Sequence, residues 1–144
     1  MNINLEKCRE EDLPKILDIY TEAFPKEERK PFDVICEHNR IGKAELQSVL
    51  IDGEVSGMVH TYLFDGFAMV DYFAIHKDKR NLGAGTNVID LIRKKYTGYK
   101  IYLEIEICTT MTVQMPMVTT SRPQPAMNGI VFQMGCFCSS ASLA

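Results

Sequence analysis

The sequence has no apolar run approaching the ~18 residues of a membrane span, no apolar stretch behind its first methionine, no Cys-x-x-Cys pair and no large excess of either charge. Each absence excludes a class. No transmembrane helix is expected, and MNINLEKCREED does not read as a signal peptide, so the expected location is the cytoplasm and no membrane partner is expected. The five cysteines, at 8, 36, 108, 136 and 138, lack metal-ligand spacing, and their odd number fits reduced thiols better than a disulfide framework. His38, His60 and His76 are scattered along the chain, so each reads as a surface or hydrogen-bonded residue and no metal is expected. A net charge of −3 argues against nucleic acid as a partner.

What is present suits one domain: 144 residues, 46% apolar and 24% charged. Ile3–Cys8 alternates apolar and polar residues like a strand. Asp12 is a candidate N-cap for a helix running to about Phe24, with Leu13, Ile16, Leu17, Ile19 and Tyr20 at helical spacing. Pro25 and Pro31 bracket a charged loop, and Phe32–Ile41 reads as a second helix closed by Gly42. Asp52-Gly53 and Asp65-Gly66 then separate apolar runs at Glu45–Ile51, Glu54–Phe64 and Phe67–Ile75. Asp-Gly suits type I′ turns, so these runs are expected to form an antiparallel meander, which a Rossmann fold would not contain.

The stretch with most chemical potential is VDYFAIHKDKRNLGAGTNVIDLIRKKY, Val70–Tyr96, where a strand enters a basic, glycine-bearing turn ahead of a helix over Thr86–Tyr96. Glycine permits close approach to a ligand and a helix start offers free N–H groups, so phosphate or pyrophosphate fits there; a solvated surface loop is the plain alternative. No Gly-Lys-Ser/Thr occurs, and the G-x-G-x-x-G pattern begun by Gly83 and Gly85 meets Val88 where its third glycine belongs. Arg80-Asn81-Leu82-Gly83-Ala84-Gly85 does match the Q/R-x-x-G-x-G/A signature of the GNAT acetyltransferases. The chain resembles that family over about Ile3–Glu106, from the opening CREEDLPKILDIYTEAFPKEER to YKIYLEIE, whose Leu103-Glu104-Ile105 resembles the L-E-V of the ribosomal-protein and N-terminal acetyltransferase branch.

The resemblance implies an α/β fold with a mixed, mostly antiparallel central sheet flanked by helices, and acetyl-CoA as cosubstrate. It implies that Arg80, Asn81, Leu82, Gly83, Ala84, Gly85 and Thr86 hold the pyrophosphate and that backbone N–H groups of Phe73, Ala74 and Ile75 hold the pantetheine arm and thioester. The acceptor would be an amine of a small molecule or peptide, with Glu27, Glu28, Arg29 and Phe32 bordering its groove, and a homodimer is among the assemblies left open. Acidic candidates for taking the acceptor's proton are Asp71, Glu104 and Glu106. Glu104 is preferred because it matches the branch that uses a glutamate there and faces away from Ile101, Leu103 and Ile105. Three functions follow: an N-acetyltransferase, a coenzyme A-binding domain without turnover, or nonspecific anion binding at a structural loop.

The resemblance reads as a core over residues 1–106 followed by an atypical C-terminal part, residues 107–144, of the same domain. Of 35 charged residues only Arg122 lies beyond Ile107, along with five of the eight methionines and three of the five cysteines. A surface so poor in charge is unusual for a domain in water, and the family's closing elements, with their catalytic tyrosine, are not found there. One reading is a tail translated out of frame. Taken as written, Met111–Val118 alternates like an edge strand and Ile130–Phe132 like a second strand.

Overall fold

The computed structural model describes residues 1–105 and 130–134, with side chains placed for residues 1–103. Its strands are β1 (Ile3–Lys7), β2 (Ala44–Ile51), β3 (Glu54–Phe64), β4 (Phe67–Ile75), β5 (Lys100–Ile105) and β6 (Ile130–Met134), and its helices are α1 (Leu13–Ala23), α2 (Phe32–Arg40) and α3 (Ala84–Lys95). The strands lie in sequence order in one sheet. β1 to β4 pair antiparallel, whereas β4–β5 and β5–β6 are parallel, so α3 is the crossover that returns the chain to run β5 in the direction of β4. The expected mixed, mostly antiparallel sheet is thus observed. Ile130–Phe132 falls within β6, whereas the strand read at Met111–Val118 lies outside the described residues.

The meander follows from its turns. Asp52 and Gly53 have φ of 51° and 82°, both left-handed, as a type I′ turn requires. At the second pair only Gly66 is left-handed, at 78°, so the expected type I′ geometry is corrected there: glycine takes the positive φ and Asp65 avoids its cost.

Apolar spacing divides the helices between the two faces. Ile16, Ile19 and Tyr20 of α1 and Ile35 of α2 pack on Leu46, Met58, Tyr72 and Ala74, while Ala84, Val88 and Ile92 of α3 pack on Val49, Val59, Val70, Ile101 and Leu103. Each fully buried side chain of this size contributes about 1.5–3 kcal/mol of transfer free energy. Leu17 falls off the α1 stripe and is exposed. Asp12 is also corrected: it lies in a 3-10 turn with φ −83° and ψ −19°, so its carboxylate makes no cap to α1 and instead accepts from the Arg9 N–H and from Ser48 Oγ, each at 3.2 Å.

Two irregularities shape the centre of the sheet. Thr61 opposes Val70 and His60 opposes Tyr72, which leaves Asp71 as an extra residue in β4, a β-bulge. Pairing of β4 with β5 begins at Phe67–Lys100 and ends at Val70–Leu103, one residue before the bulge. Beyond it β3 stays close: a Cβ on Gly57 would lie 2.6 Å from the Ala74 carbonyl oxygen and 2.9 Å from Ile75 Cδ1. Gly57→Ala is therefore expected to lower unfolding stability by about 1–3 kcal/mol in urea titrations, because a backbone oxygen has to shift.

Candidate functional site

Past Val70, β4 runs on through Asp71–Ile75 with no described strand on its β5 side. The result is a notch between two parallel strands, at the C-terminal end of the sheet's middle. Phe73, Ala74 and Ile75 line its β4 edge, and α3 starts beside them: a Cβ on Gly85 would lie 4.0 Å from the Phe73 ring. The sequence-selected segments thus meet in space.

The turn itself is built by backbone conformation. Asn81 and Gly83 have φ of 66° and 75°, with Leu82 of negative φ between them, an alternation of hand that curves successive N–H groups around a concavity suited to an anion. Gly83 is the N-cap and has no side chain to satisfy the first turn, so the N–H groups of Ala84, Gly85 and Thr86 precede any intrahelical acceptor. This left-handed cap is why α3 begins two residues before the Thr86 expected from its apolar stripe. Leu82 and Thr86 are exposed and Ala84 is buried.

Arg80, which the resemblance places at the pyrophosphate, is engaged by protein groups. Its Nε donates to the Ile75 carbonyl at 2.8 Å and its Nη2 pairs with Glu22 at 2.8 Å, so the guanidinium ties the turn to the end of β4 and to α1. The backbone of Glu104 lies in β5, opposite Gln133 of β6. Its side chain, like the whole of Glu106, lies outside the described residues.

Sequence reasoning missed a cluster on the α1/α2 face of the bulge. Lys30, in the loop between the two prolines, extends its Nζ to 2.7 Å from Asp71 Oδ2, and to 4.8 and 5.9 Å from the ring centres of Tyr62 and Tyr72. His60 is fully buried with Nδ1 3.5 Å from the same Asp71 oxygen, too long for a firm hydrogen bond, and among the described residues no other partner reaches either ring nitrogen. It is therefore neither a surface nor a well-satisfied residue, a correction to the sequence reading. His38 Nδ1, by contrast, is 2.7 Å from the Tyr62 hydroxyl. Of the loop candidates, Phe32 packs on Tyr20 and Glu28 supplies its carbonyl to the Tyr72 hydroxyl at 2.8 Å.

Burial alone would raise the Asp71 carboxyl, but His60 and Lys30 beside it hold it below the usual carboxylate range. Burial would likewise lower Lys30; the Asp71 hydrogen bond and charge, helped by Tyr62, raise it instead. A depressed carboxyl stabilises the fold above its unfolded value of about 4, and that contribution is lost as pH falls through the folded value. A raised lysine stabilises below its unfolded value of about 10.4 and loses that contribution as pH rises through the folded value. Chemical denaturation across pH is expected to show a shallower acid limb in Asp71→Asn and a shallower alkaline limb in Lys30→Met.

The family model described as acetyltransferase (GNAT) matches residues 13–116, ten residues past the point where the sequence resemblance was drawn to a close. Among solved structures, an acetyltransferase of the GNAT family from Bacteroides thetaiotaomicron superposes with a TM-score of 0.64 at 24% identity, over 72% of this chain and 60% of its own. The chain thus spans less than two thirds of that relative. A ribosomal-protein-alanine N-acetyltransferase from Brucella melitensis gives a TM-score of 0.54 at 22% identity, covering 74% of this chain and 82% of its own. A GNAT acetyltransferase from Elizabethkingia anophelis with acetyl-CoA bound gives 0.50 at 22%, covering 69% and 63%. No functionally curated protein matches the chain. A family model that spans most of the chain, on a sheet that parts where this one does, establishes that the chain belongs to the GNAT family of acetyltransferases, whose cosubstrate is acetyl-CoA.

Proposed function

We propose that this chain transfers the acetyl group of acetyl-CoA to a primary amine of a small molecule or a protein N-terminus, in the cytoplasm. The observation that carries the reading is that the β4–β5 pairing ends at Val70–Leu103 on the same side of the sheet as the left-handed Gly83 turn. A pyrophosphate at the first-turn N–H groups of α3 leaves the pantetheine arm to run along Phe73–Ile75, where it forms strand-like hydrogen bonds with the β4 edge. The thioester then lies where the strands part. There the attacking amine needs a neutral nitrogen, the carbonyl needs a donor for its developing charge, and the departing thiolate needs a proton.

Two glycines make the cofactor half testable without confusion with folding. Any side chain at Gly83 would sit at φ 75°, which costs about 1–2 kcal/mol of strain and unsettles the turn itself. At Gly85 a Cβ meets only ordinary contact with Phe73. Gly85→Val is expected to melt close to the wild-type temperature yet lose more than about tenfold in acetyl-CoA affinity by calorimetry, because its branch occupies the approach to the helix start. Unchanged affinity in Gly85→Val would exclude the turn as the pyrophosphate site.

For the chemical half, Glu104 is assigned the acceptor's proton, directly or through water, by its match to the L-E-V branch and its place on the strand that leaves the notch. Glu104→Gln keeps shape and removes basicity, so with the best amine substrate it is expected to lose more than about tenfold in turnover at unchanged acetyl-CoA affinity. The charge break at Ile107 supports a second reading, a coenzyme A-binding domain without turnover, with the tail from residue 107 as an out-of-frame product. Thiol release measured against a mixed panel of amines separates the two: binding without release supports the second.

A further inference from the structure

Lys30 is held with unusual care for a loop lysine. The Tyr20 hydroxyl donates to its carbonyl at 2.9 Å, its own N–H donates to the Tyr72 hydroxyl at 3.0 Å, and that hydroxyl donates onward to the Glu28 carbonyl at 2.8 Å. Two buried tyrosines therefore fix the backbone on both sides of the residue. From that anchor Nζ reaches Asp71, 41 residues away, at 2.7 Å and lies over the Tyr62 ring at 4.8 Å, a carboxylate and an aromatic face together. The side chain remains 41% exposed, so the amine is reachable. Asp71 is the bulge residue, the first of β4 beyond the last β5 pair. Lys30 thus presents a primary amine at the mouth of the notch.

We propose that Lys30 is a self-modification site: its Nζ accepts an acetyl group in cis from acetyl-CoA bound to the same chain. The inference rests on the cofactor reading above and adds an acceptor built into the fold. The ammonium first releases a proton to water. The neutral nitrogen attacks the thioester carbonyl carbon, the C–N bond forms, the C–S bond breaks, and coenzyme A leaves as the thiol, taking up the second proton that the nitrogen sheds. The product is an uncharged amide, so the lysine–aspartate ion pair is lost while His60 stays beside Asp71.

The chemistry supplies its own contrast. An ammonium held by Asp71 is more fully protonated than a solvated lysine, so a reagent that does not dock at the turn modifies exposed Lys15 and Lys94 ahead of Lys30. Bound acetyl-CoA reverses that order through proximity, which supplies far more than the protonation penalty. The full chain is incubated with acetyl-CoA and, separately, with acetic anhydride, and early modification is mapped by peptide mass spectrometry. Lys30 is expected to react at least about tenfold faster than Lys15 with acetyl-CoA and slower than Lys15 with the anhydride. The acetyl-CoA rate is expected to be first order in chain, and Gly85→Val is expected to bring Lys30 below the Lys15 rate while leaving Lys15 unchanged. Calorimetric binding of acetyl-CoA without preferential Lys30 acetylation overturns the inference and leaves the cofactor reading standing. Absence of binding overturns both, and a fractional rate of Lys30 acetylation that rises with chain concentration rejects transfer in cis.

Discussion

The short pairing of β4 with β5, Phe67–Val70 against Lys100–Leu103, is the constraint on which the site depends. β4 is committed to β3 along nearly its whole length, and the extra residue at Asp71 locally increases the twist of the strand. β5 lies parallel on the other side and cannot follow that turn, so the two diverge. An open edge in the middle of a sheet is unfavourable when its N–H and C=O groups face nothing, and favourable when an extended ligand supplies the missing partner. Gly57 belongs to the same arrangement, because only a residue without a side chain lets β3 stay within reach of Ala74 after the bulge. Arg80 then closes the far end by taking the Ile75 carbonyl.

Much of this was legible because it is local. Period-2 runs with Asp-Gly between them locate three strands, and the two glycines ahead of an apolar stripe locate the turn and α3. The exact start of α3 was not legible, because Ala84, one turn ahead of Val88 on the same stripe, sits between two glycines that read as turn. Asp65-Gly66 misled for a related reason. The dipeptide permits type I′ geometry, but the strands decide whether both residues or only the glycine take a positive φ.

The acceptor-side cluster was illegible for a different reason. A bulge appears only when the registers on two strands are compared, and nothing in VDYFAI marks Asp71 as the residue left over. Lys30 looked like one charge in a charged loop, and Pro25, Pro31 and the glutamates around it supported that reading. What sets it apart is tertiary: the hydroxyls of Tyr20 and Tyr72, on an α-helix and a β-strand, converge on its backbone. His60 was misread by the same logic. Isolation in sequence says nothing about a ring that the sheet buries beside a carboxylate.

The two halves of the site therefore have different origins, and binding and turnover should be separable. The proposed cofactor half comes from Phe73–Ile75 and Arg80–Thr86, whose turn geometry is set by its own glycines and by Arg80, all ahead of the charge break. The proposed chemical half depends on Glu104, where β5 leaves the notch, and on a proton donor for the departing thiolate, which the family resemblance would draw from beyond Glu106, where charge almost vanishes. A change confined to that part leaves the pyrophosphate turn and the β4 edge as they are. It acts on the donor to the departing thiolate, a contribution of about 10²–10⁴-fold in rate. A chain altered there can hold acetyl-CoA with family-like geometry and still transfer the acetyl group slowly. An amine already positioned by the fold, as Lys30 is, then gains most from proximity, because it needs no acceptor groove from the altered region.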